Sequence, residues 1–563
     1  MPPGKIRYEK DVMPIMSKPD IQIRIDGRVL SMKHGICLME ALVAAGFLLR
    51  SDCGGRGRCG KCMVRATAIA PEALSAAGEA ELKTLGEERI GRGYRLACCT
   101  CVTGDAAVEI PEESLLAPEV VQKGLPMLLS KLETLPPAPS RQGLPRFGLA
   151  VDLGTTTVAV YLCDLHERTI IGSTSARNPQ AIFGDDVISR ISAVRTDPET
   201  LPRLQTMAVS AIDWAASALC RRAGIDPKSA GEAVVVGNST MVHLLLGEDP
   251  SPIGVFPYTP PFSEDRVATA GRVGLHFNPA ARLRTLPLIS GYLGADIIAA
   301  AIAADLSNTP AGTLLADVGT NGEIICLTGN GLAATSCATG PAFEGAAIRH
   351  GMQATSGAVD SVRFNRDTGC LDYTVIQRDP GRPKPPAGIC GSGVITAVAE
   401  LLRAGILSRS GSFNAGGGST CLRPGENGVL EFEIVPAGTH GNRRAITLTQ
   451  ADVRAVQLAK GALRTGIDLL CRENGMPRPS KILLAGAFGS FINRLDALTL
   501  GMFPEMDAAA IEVVGNAAGA GAVLALLCED YFTQAREMAR ATRVLDLAAH
   551  PDFQNTFVAA LSF

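Results

Sequence analysis

Apolar and polar residues alternate strictly along Ile21-Gln22-Ile23-Arg24-Ile25, the period of a strand with one buried face. Asp26-Gly27 is a type I′ turn signal and Arg28 to Met32 runs back, so the stretch predicts a hairpin. Cys37 to Ala45 is rich in helix formers and stops at Gly46, a natural C-terminal end. Strands are predicted at 62–66, 94–98 and 107–110, with a helix near 79–85. Hairpin, helix, loop and returning strands make a small β-grasp domain over residues 19–112, preceded by a tail, 1–18. From 113 to 146 prolines at 118, 126, 136, 137, 139 and 145 break any long element. This predicts an extended, semi-rigid linker, with Val120 to Leu132 compatible with one short helix.

Beyond Phe147 a pattern occurs twice. Leu149-Ala-Val-Asp152-Leu-Gly154-Thr155-Thr156-Thr157-Val-Ala-Val returns as Leu314-Leu-Ala-Asp317-Val-Gly319-Thr320-Asn321-Gly322-Glu-Ile-Ile. Each copy reads as buried strand, D-x-G-T turn, buried strand, and predicts a duplicated domain over 147–563 with lobes at roughly 147–310 and 311–563. Lys481 to Ala485 predicts another strand, running into the small-residue turn Gly486-Ala487-Phe488-Gly489. Thr449 and Asp452 form a capping box for a helix whose Val456, Leu463, Ile467 and Leu470 make a core stripe. Gly388-Ile-Cys390-Gly-Ser392-Gly393 opens another helix, with glycines usable either for phosphate or for close packing. Asn178-Pro179-Gln180, Gly184 to Val187 and Arg190 form a polar, turn-rich stretch that suits cleft lining. The most apolar late run, Ile511 to Cys528, is interrupted by Glu512, Asn516 and glycines, so no membrane span is predicted.

Composition narrows the class. The chain has 563 residues, 46% hydrophobic and 19% charged, with a formal charge of −3; it reads as multidomain and globular, without the basic bias expected of a nucleic-acid binder. The start, with acids and prolines where an export signal would need a continuous apolar core, makes export unexpected. Sixteen cysteines are too few for a disulfide scaffold, which predicts a reducing, cytoplasmic setting. Cys163, Cys220, Cys326, Cys337, Cys370, Cys421, Cys471 and Cys528 are scattered, and buried packing accounts for most of them.

The remaining thiols are not scattered. Ser51 to Arg65 holds Cys53, Cys59 and Cys62 at C-x5-C-x2-C spacing among glycines 54, 55, 57 and 60, and Cys98, Cys99 and Cys101 follow in RLACCTC. Glycines let a backbone wrap closely around an inorganic cluster and turn its amides toward sulfur. Zinc usually draws on two short knuckles and only one is present. A loop with Arg56, Arg58 and Lys61 makes a poor apolar core for structural cysteines. Arg50, Arg56, Arg58, Lys61 and Arg65 oppose only Asp52, which is either a solvated basic loop or a dock for an acidic protein surface. The segment resembles 2Fe-2S ferredoxins of the β-grasp type, and the resemblance nominates Cys98, after Arg95-Leu96-Ala97, as the fourth ligand beside Cys53, Cys59 and Cys62. Cys99 and Cys101 keep that last assignment open.

In the second half an acid ending a buried strand can hold Mg2+ or its water, while turn amides and threonine hydroxyls can receive phosphate. The set resembles the ATPase superfamily of actin, sugar and acetate kinases and heat-shock chaperones, with an actin-like, ribonuclease H-like fold. The resemblance implies catalytic roles for Asp152 and Asp317. It also implies phosphate loops with Gly154, Thr155, Thr156, Gly319, Thr320 and Asn321, and an adenosine loop with Gly486, Ala487, Phe488 and Gly489. Gly237 to Met241 and Gly515 to Ala520 look like its connecting segments.

A ferredoxin domain followed by such an ATPase resembles the reductive activators of corrinoid proteins. NPQ at 178–180, GNSTM at 237–241, SGYLGAD at 290–296, GICGSG at 388–393 and KGA at 460–462 look like signatures of that family. The resemblance implies a 2Fe-2S cluster, ATP and Mg2+ as cofactors, one-electron reduction of cob(II) to cob(I), and a corrinoid protein of a methyltransferase system as partner. It further implies an unidentified low-potential electron donor and a homodimer. The rival readings are a redox ATPase serving another low-potential enzyme, a small-molecule kinase, and a non-enzymatic redox-sensing module.

Overall fold

The computed structural model describes residues 20–25, 27–51, 53–116, 131–133, 135, 145–345, 347–377, 383–416, 418–425, 428–439, 445–486 and 492–563. The chain packs as two compact units. One comprises the residues up to Arg50 with Arg56–Leu115, the other Ser51–Gly55 with Leu116–Phe563.

In the first unit, strand β1 (Ile21–Ile25) buries Ile21, Ile23 and Ile25 on one pleat face, as the alternation requires. It pairs antiparallel with β2 (Arg28–Met32), with Ile21 opposite Met32 and Ile25 opposite Arg28, and Gly27 turns between them at φ 80°. The strands that follow are β3 (Ile36–Cys37), β4 (Met63–Ala68), β5 (Tyr94–Leu96), β6 (Cys101–Val102) and β7 (Ala106–Glu109). The main sheet has the order β2-β1-β7-β4-β5, with β7 parallel to β1 and antiparallel to β4. The helix Leu38–Ala44 buries Leu38, Met39, Ala41, Leu42 and Val43. It starts one residue later than the composition predicts, because Cys37 is extended and pairs with Cys101 across β3 and β6.

The second unit repeats a topology. Its first sheet contains β8 (Phe147–Leu153), β9 (Thr157–Asp164), β10 (Thr169–Arg177), β11 (Ala230–Val236), β12 (Val267–Thr269) and β13 (Arg282–Thr285), in the order β10-β9-β8-β11-β13-β12. A second sheet begins with β14 (Thr313–Val318), β15 (Gly322–Thr328) and β16 (Gly331–Cys337). Two small three-stranded sheets intervene, one of β17 (Ala358–Asn365), β18 (Cys370–Val375) and β19 (Gly388–Ile389), the other of β20 (Leu422–Pro424), β21 (Leu430–Val435) and β22 (Ile446–Thr449). The chain then supplies β23 (Lys481–Ala485), β24 (Ile511–Gly515) and β25 (Arg543–Val544) and completes the order β24-β23-β14-β15-β16-β25. In both large sheets an antiparallel meander is followed by parallel strands on the side of its first member. The duplicated D-x-G-T pattern thus marks a duplicated fold.

Helices Ala295–Ala303, apart from Asp296 in its first turn, and Ala517–Leu527 are apolar all round and share a core with residues of both large sheets, among them Ala150, Tyr161, Val234, Leu315, Ile325 and Leu483. The late apolar run is therefore a buried helix. A side chain at Gly521 would meet the Ala299 carbonyl at 2.0 Å, so the two backbones touch there. Among the described residues no helix is long and apolar enough to cross a membrane. The capping box at Thr449 and Asp452 opens the helix Gln450–Glu473, and Val456, Leu463, Ile467 and Leu470 are fully buried, as the stripe predicts.

Two cysteines depart from the sequence reading. Cys370 and Cys421 form a disulfide rather than buried packing; it links the two small sheets, and the pairing joins positions 51 residues apart that no local spacing reveals. Cys163, Cys220, Cys326, Cys337, Cys471 and Cys528 are buried. The glycines of 388–393 serve packing: a side chain at Gly388 would meet the His350 carbonyl at 2.6 Å, and one at Gly393 the Val359 carbonyl at 2.4 Å. Most of the stretch read as a linker lies outside the described residues. Of the rest, Lys131 donates to the Ile302 carbonyl, and Leu132 and Leu135 pack on the second unit's core.

Candidate functional site

Two constellations carry chemistry. The thiol loop is built almost entirely of turns, with Gly54, Gly55, Gly57 and Gly60 at φ 67°, 80°, 68° and 68°. Only glycine adopts such a run without strain. Cys62 is buried, and its Sγ lies 3.4 Å from Cys98 Sγ. Two thiolates on one tetrahedral metal with bonds of about 2.3 Å stand about 3.8 Å apart, so this pair has the spacing of two ligands to a single iron. Hydrogen bonds from Cys62 and Cys99 together with burial raise the Cys98 thiol well above its ordinary range. Several thiolates can share this space only when a cation neutralises them. Cys53 and Cys59 are half-buried. Cys99 Sγ lies 3.7 Å from Cys98 Sγ and would be 2.7 Å from a side chain at Gly57. Cys101 is exposed. Among the described residues no three Cys, His, Asp or Glu side chains converge on one metal ion. A two-iron cluster asks for less, since each iron takes two thiolates from the chain.

The Cys98 segment is held by a buried ion pair. Glu81 accepts from Arg95 Nε and Nη2 at 3.1 and 2.8 Å and from the Leu96 amide at 2.9 Å. Thr100 Oγ1 donates to the Leu96 carbonyl at 2.9 Å and closes the loop that carries Cys98. Burial opposes ionisation of Glu81, but Arg95 and the Leu96 amide more than offset it and hold the carboxyl below its ordinary range. Removing one member of a buried pair strands the other, so Glu81→Ala is expected to destabilise the first unit by about 3 kcal/mol. Faster hydrogen exchange at the Val64 and Leu96 amides would register the loss, and unchanged protection would refute it.

The second constellation lies where the duplicated turns meet. Asp152 and Asp317 end β8 and β14 in equivalent positions. At Gly154 a side chain would collide with the Thr157 carbonyl at 2.6 Å, which explains the glycine. Thr155 is buried, its hydroxyl accepting from Asn238 Nδ2 at 2.9 Å and its carbonyl from Arg190 Nη2 at 2.6 Å. Thr156 faces the other turn, with its Oγ1 3.2 Å from Thr320 Oγ1. Both hydroxyls donate to one carboxylate, Thr156 to Glu344 Oε2 at 2.6 Å and Thr320 to Glu344 Oε1 at 3.1 Å. The Gly319 amide donates to the Asn321 carbonyl at 3.1 Å, and Thr339 Oγ1 donates to the Gly319 and Thr320 carbonyls. Gly486, at φ 94°, lies against Asp317, whose Oδ1 would be 2.7 Å from a side chain there. Ala487, Phe488 and Gly489 lie outside the described residues.

Four acids crowd this point. Burial pushes Asp152 up to about 6 against a hydrogen bond from Asn516, and burial with the Asp152 charge pushes Asp317 up to about 7. Asp296 and Glu323 are raised well above the ordinary carboxylate range, by burial first and then by the neighbouring acids. Desolvated like charges of this kind are relieved by a divalent cation. Asp152 and Asp317 offer hard carboxylate oxygens of the kind a divalent cation takes one or two at a time.

The supports of these turns come from six separate segments. Arg190 lies in the stretch read as cleft lining, Asn238 and Asn516 in the two connecting segments and Asp296 at the end of SGYLGAD, so the sequence marked their segments but not their contacts. Glu323 carries a local signal, a charge inside the apolar strand Gly322–Thr328, and Glu344 was missed. Asn178, inside the stretch read as cleft lining, is fully buried and donates to the Gly154 carbonyl at 2.9 Å. A separate cavity of about 600 Å³ lies beside the helix Gln450–Glu473 and contains none of the predicted site residues. Its cations are engaged, Lys460 by the Ser562 carbonyl, Arg464 by Asp468 and Arg472 by Asp552.

A 2Fe-2S ferredoxin domain joined to an actin-like ATPase domain is the class that this fold defines. Family descriptions match in the same order: "2Fe-2S iron-sulfur cluster binding domain" over residues 23–103, "RACo middle region" over 147–309 and "C-terminal domain of RACo the ASKHA domain" over 311–563. The corrinoid activation enzyme RamQ of Eubacterium limosum is 35% identical over 423 residues, 74% of this chain and 70% of that protein. The Co(II) methylated amine-specific corrinoid protein reductase of Methanosarcina barkeri is 27% identical over 296 residues, and the match spans about half of each chain, 49% and 51%. Among solved structures, a reductive activator for corrinoid, iron-sulfur protein superposes with a TM-score of 0.68 at 31% identity, covering 96% of this chain and 98% of that one. The chain belongs to the RACo-like family of reductive activators of corrinoid proteins.

Proposed function

We propose that this chain is an ATP-dependent reductive activator that passes one electron to the cob(II) centre of a corrinoid methyl-transfer protein and restores cob(I). The observation that carries the reading is the join at Glu344. The two D-x-G-T turns, one from each lobe, meet hydroxyl to hydroxyl at 3.2 Å, where a nucleotide's phosphates would touch both lobes at once. Family membership and the relatives' names support the corrinoid acceptor. Cys53, Cys59, Cys62 and Cys98 hold the 2Fe-2S cluster in this proposal. Ligation by Cys62 and Cys98 rests on their thiol contact, and that by Cys53 and Cys59 on the C-x5-C-x2-C spacing. When bound, such a cluster supplies single electrons near about −400 mV.

ATP and Mg2+ occupy the second site. Gly154, Thr155 and Thr156 form the first phosphate loop, and Gly319, Thr320 and Asn321 the second. Gly486, Ala487, Phe488 and Gly489 form the adenosine loop, and Asp152 and Asp317 hold the cation's shell. Reduction of cob(II) lies below the cluster's potential, so the work of the nucleotide is conformational: each tenfold shift in the acceptor's population is worth about 59 mV for one electron. Arg56, Arg58 and Lys61 would meet an acidic face of the corrinoid protein. The domain boundaries at 19–112, 113–146 and 147–563, cytoplasmic residence, a homodimer and an external low-potential donor belong to the same proposal.

The test is direct. Chain reconstituted anaerobically with iron and sulfide is reduced and mixed with a cob(II) corrinoid protein, with and without ATP. Appearance of the cob(I) spectrum only with ATP is expected. Equal rates without nucleotide, or no transfer at all, would refute the proposal.

A further inference from the structure

Glu344 has no part in the roles assigned above, yet it occupies the meeting point of both turns. It ends the short turn Pro341–Glu344, which is anchored in the core by Ala342 and Phe343, 3% and 1% exposed, and bounded by Gly340 and Gly345 at φ 69° and 78°. The carboxylate is thus presented on a rigid arm. It passes beside Gly319, where a Cβ would stand in ordinary van der Waals contact with Glu344 Oε1 at 3.7 Å. Each oxygen accepts one threonine hydroxyl, from Thr156 and Thr320. A carboxylate offers about four acceptor positions, so two remain for water. No Lys or Arg among the described residues forms an ion pair with it; its hydrogen-bond partners are the two hydroxyls. The Arg190 guanidinium is committed to the carbonyls of Gly184 and Thr155, to Gln180 and to Met241.

The Arg190 guanidinium feels the Glu344 charge but does not bond to the carboxylate, which therefore keeps its acceptor positions open rather than closing them in an ion pair. A neutral amide could hold the two threonines as well, its oxygen accepting from one hydroxyl and its nitrogen donating to the other, so staple work alone does not call for a charge here. Resting on the nucleotide reading above, we propose that Glu344 is the general base for ATP hydrolysis. With its two hydroxyl contacts fixing the carboxylate, a free lone pair accepts a proton from the attacking water. The water oxygen bonds to the γ-phosphorus, the bond from that phosphorus to the β,γ-bridging oxygen breaks, and ADP leaves with the electron pair. The proton held on Glu344 passes to solvent as phosphate departs. Thr156 and Thr320 are positioning residues, aiming one carboxylate from two lobes at once, so hydrolysis requires both turns to be in register.

The experiment measures single-turnover ATP hydrolysis by the full chain, and binding of β,γ-imido-ATP by calorimetry, in wild type, Glu344→Gln and Glu344→Asp. Expected for Glu344→Gln is a fall in hydrolysis of about 100-fold or more with Kd within about threefold of wild type. Glu344→Asp, with its carboxylate withdrawn but present, is expected to fall between. Glu344→Gln hydrolysing within about fivefold of wild type would overturn the inference. So would loss of analogue binding in both variants, which would make Glu344 a structural staple, or tighter binding with unchanged turnover, which would make it a phosphate competitor. Wild type that binds no ATP would remove the nucleotide reading itself, a failure visible before any variant is compared.

Discussion

Cys62→Ser is expected to leave the reconstituted chain without visible absorption, without stoichiometric iron and acid-labile sulfide, and with cob(I) formation at background. The effect should be complete because Cys62 is buried and in direct thiol contact with Cys98, so the serine oxygen would occupy a site shaped for a softer and larger ligand. The same geometry separates the neighbours in RLACCTC. Cys98→Ser should behave as Cys62→Ser does. Cys99→Ser should keep its colour, since it is Cys98 whose Sγ meets that of the buried Cys62 at 3.4 Å. Cys101→Ser should be silent, because Cys101 is exposed and faces Cys37 across β3 and β6. A coloured Cys98→Ser beside a colourless Cys99→Ser would exchange the assignment; a coloured Cys62→Ser would remove the cluster from this loop.

Asp317→Asn should cut ATP hydrolysis at least 100-fold, in line with the roughly several kcal/mol that a cation-holding group supplies to charge stabilisation. It should also make the second unit more stable. Burial and the Asp152 charge push the Asp317 carboxyl from its ordinary 3.8 up to about 7. The folded state therefore holds this proton more tightly than the unfolded chain does. Stability from that difference is fully present below about pH 4 and is lost as pH rises through about 7. Asparagine carries no charge, so its advantage should be negligible near pH 4, grow between pH 4 and 7 and level off above. Its plateau should be on the order of 2 kcal/mol, discounted from about 4 because water reaches part of the site. Denaturant unfolding at pH 5 and pH 8 checks the sign. A variant less stable than wild type at pH 8 would mean that Asp317 is already neutralised by a partner in the folded chain. Mg2+ should stabilise wild type more than the variant, since it relieves the same repulsion.

The sequence showed repetition and spacing well. Alternation in β1, the apolar stripe of the helix Gln450–Glu473 and the capping box at Thr449 are local signals, written by neighbours three or four positions apart or closer. The two D-x-G-T turns and the C-x5-C-x2-C loop are equally local, because a sharp turn or a wrapped cluster needs particular residues at particular steps. They were sufficient to place the fold class and the elements around which both candidate sites are built.

What tertiary structure alone decided was everything assembled from distant segments. Glu344 reaches Thr156 across 188 positions, Arg190 supports Thr155 from the start of another helix, and Asn516 reaches Asp152 from beyond the whole second meander. Cys370 and Cys421 look like ordinary packing cysteines until two separate sheets bring them together. Local composition carries no trace of such pairings, because each partner satisfies its own turn or strand equally well without the other. Their chemistry, a shared carboxylate or a mutually raised set of acids, arises only when folding removes water from between them.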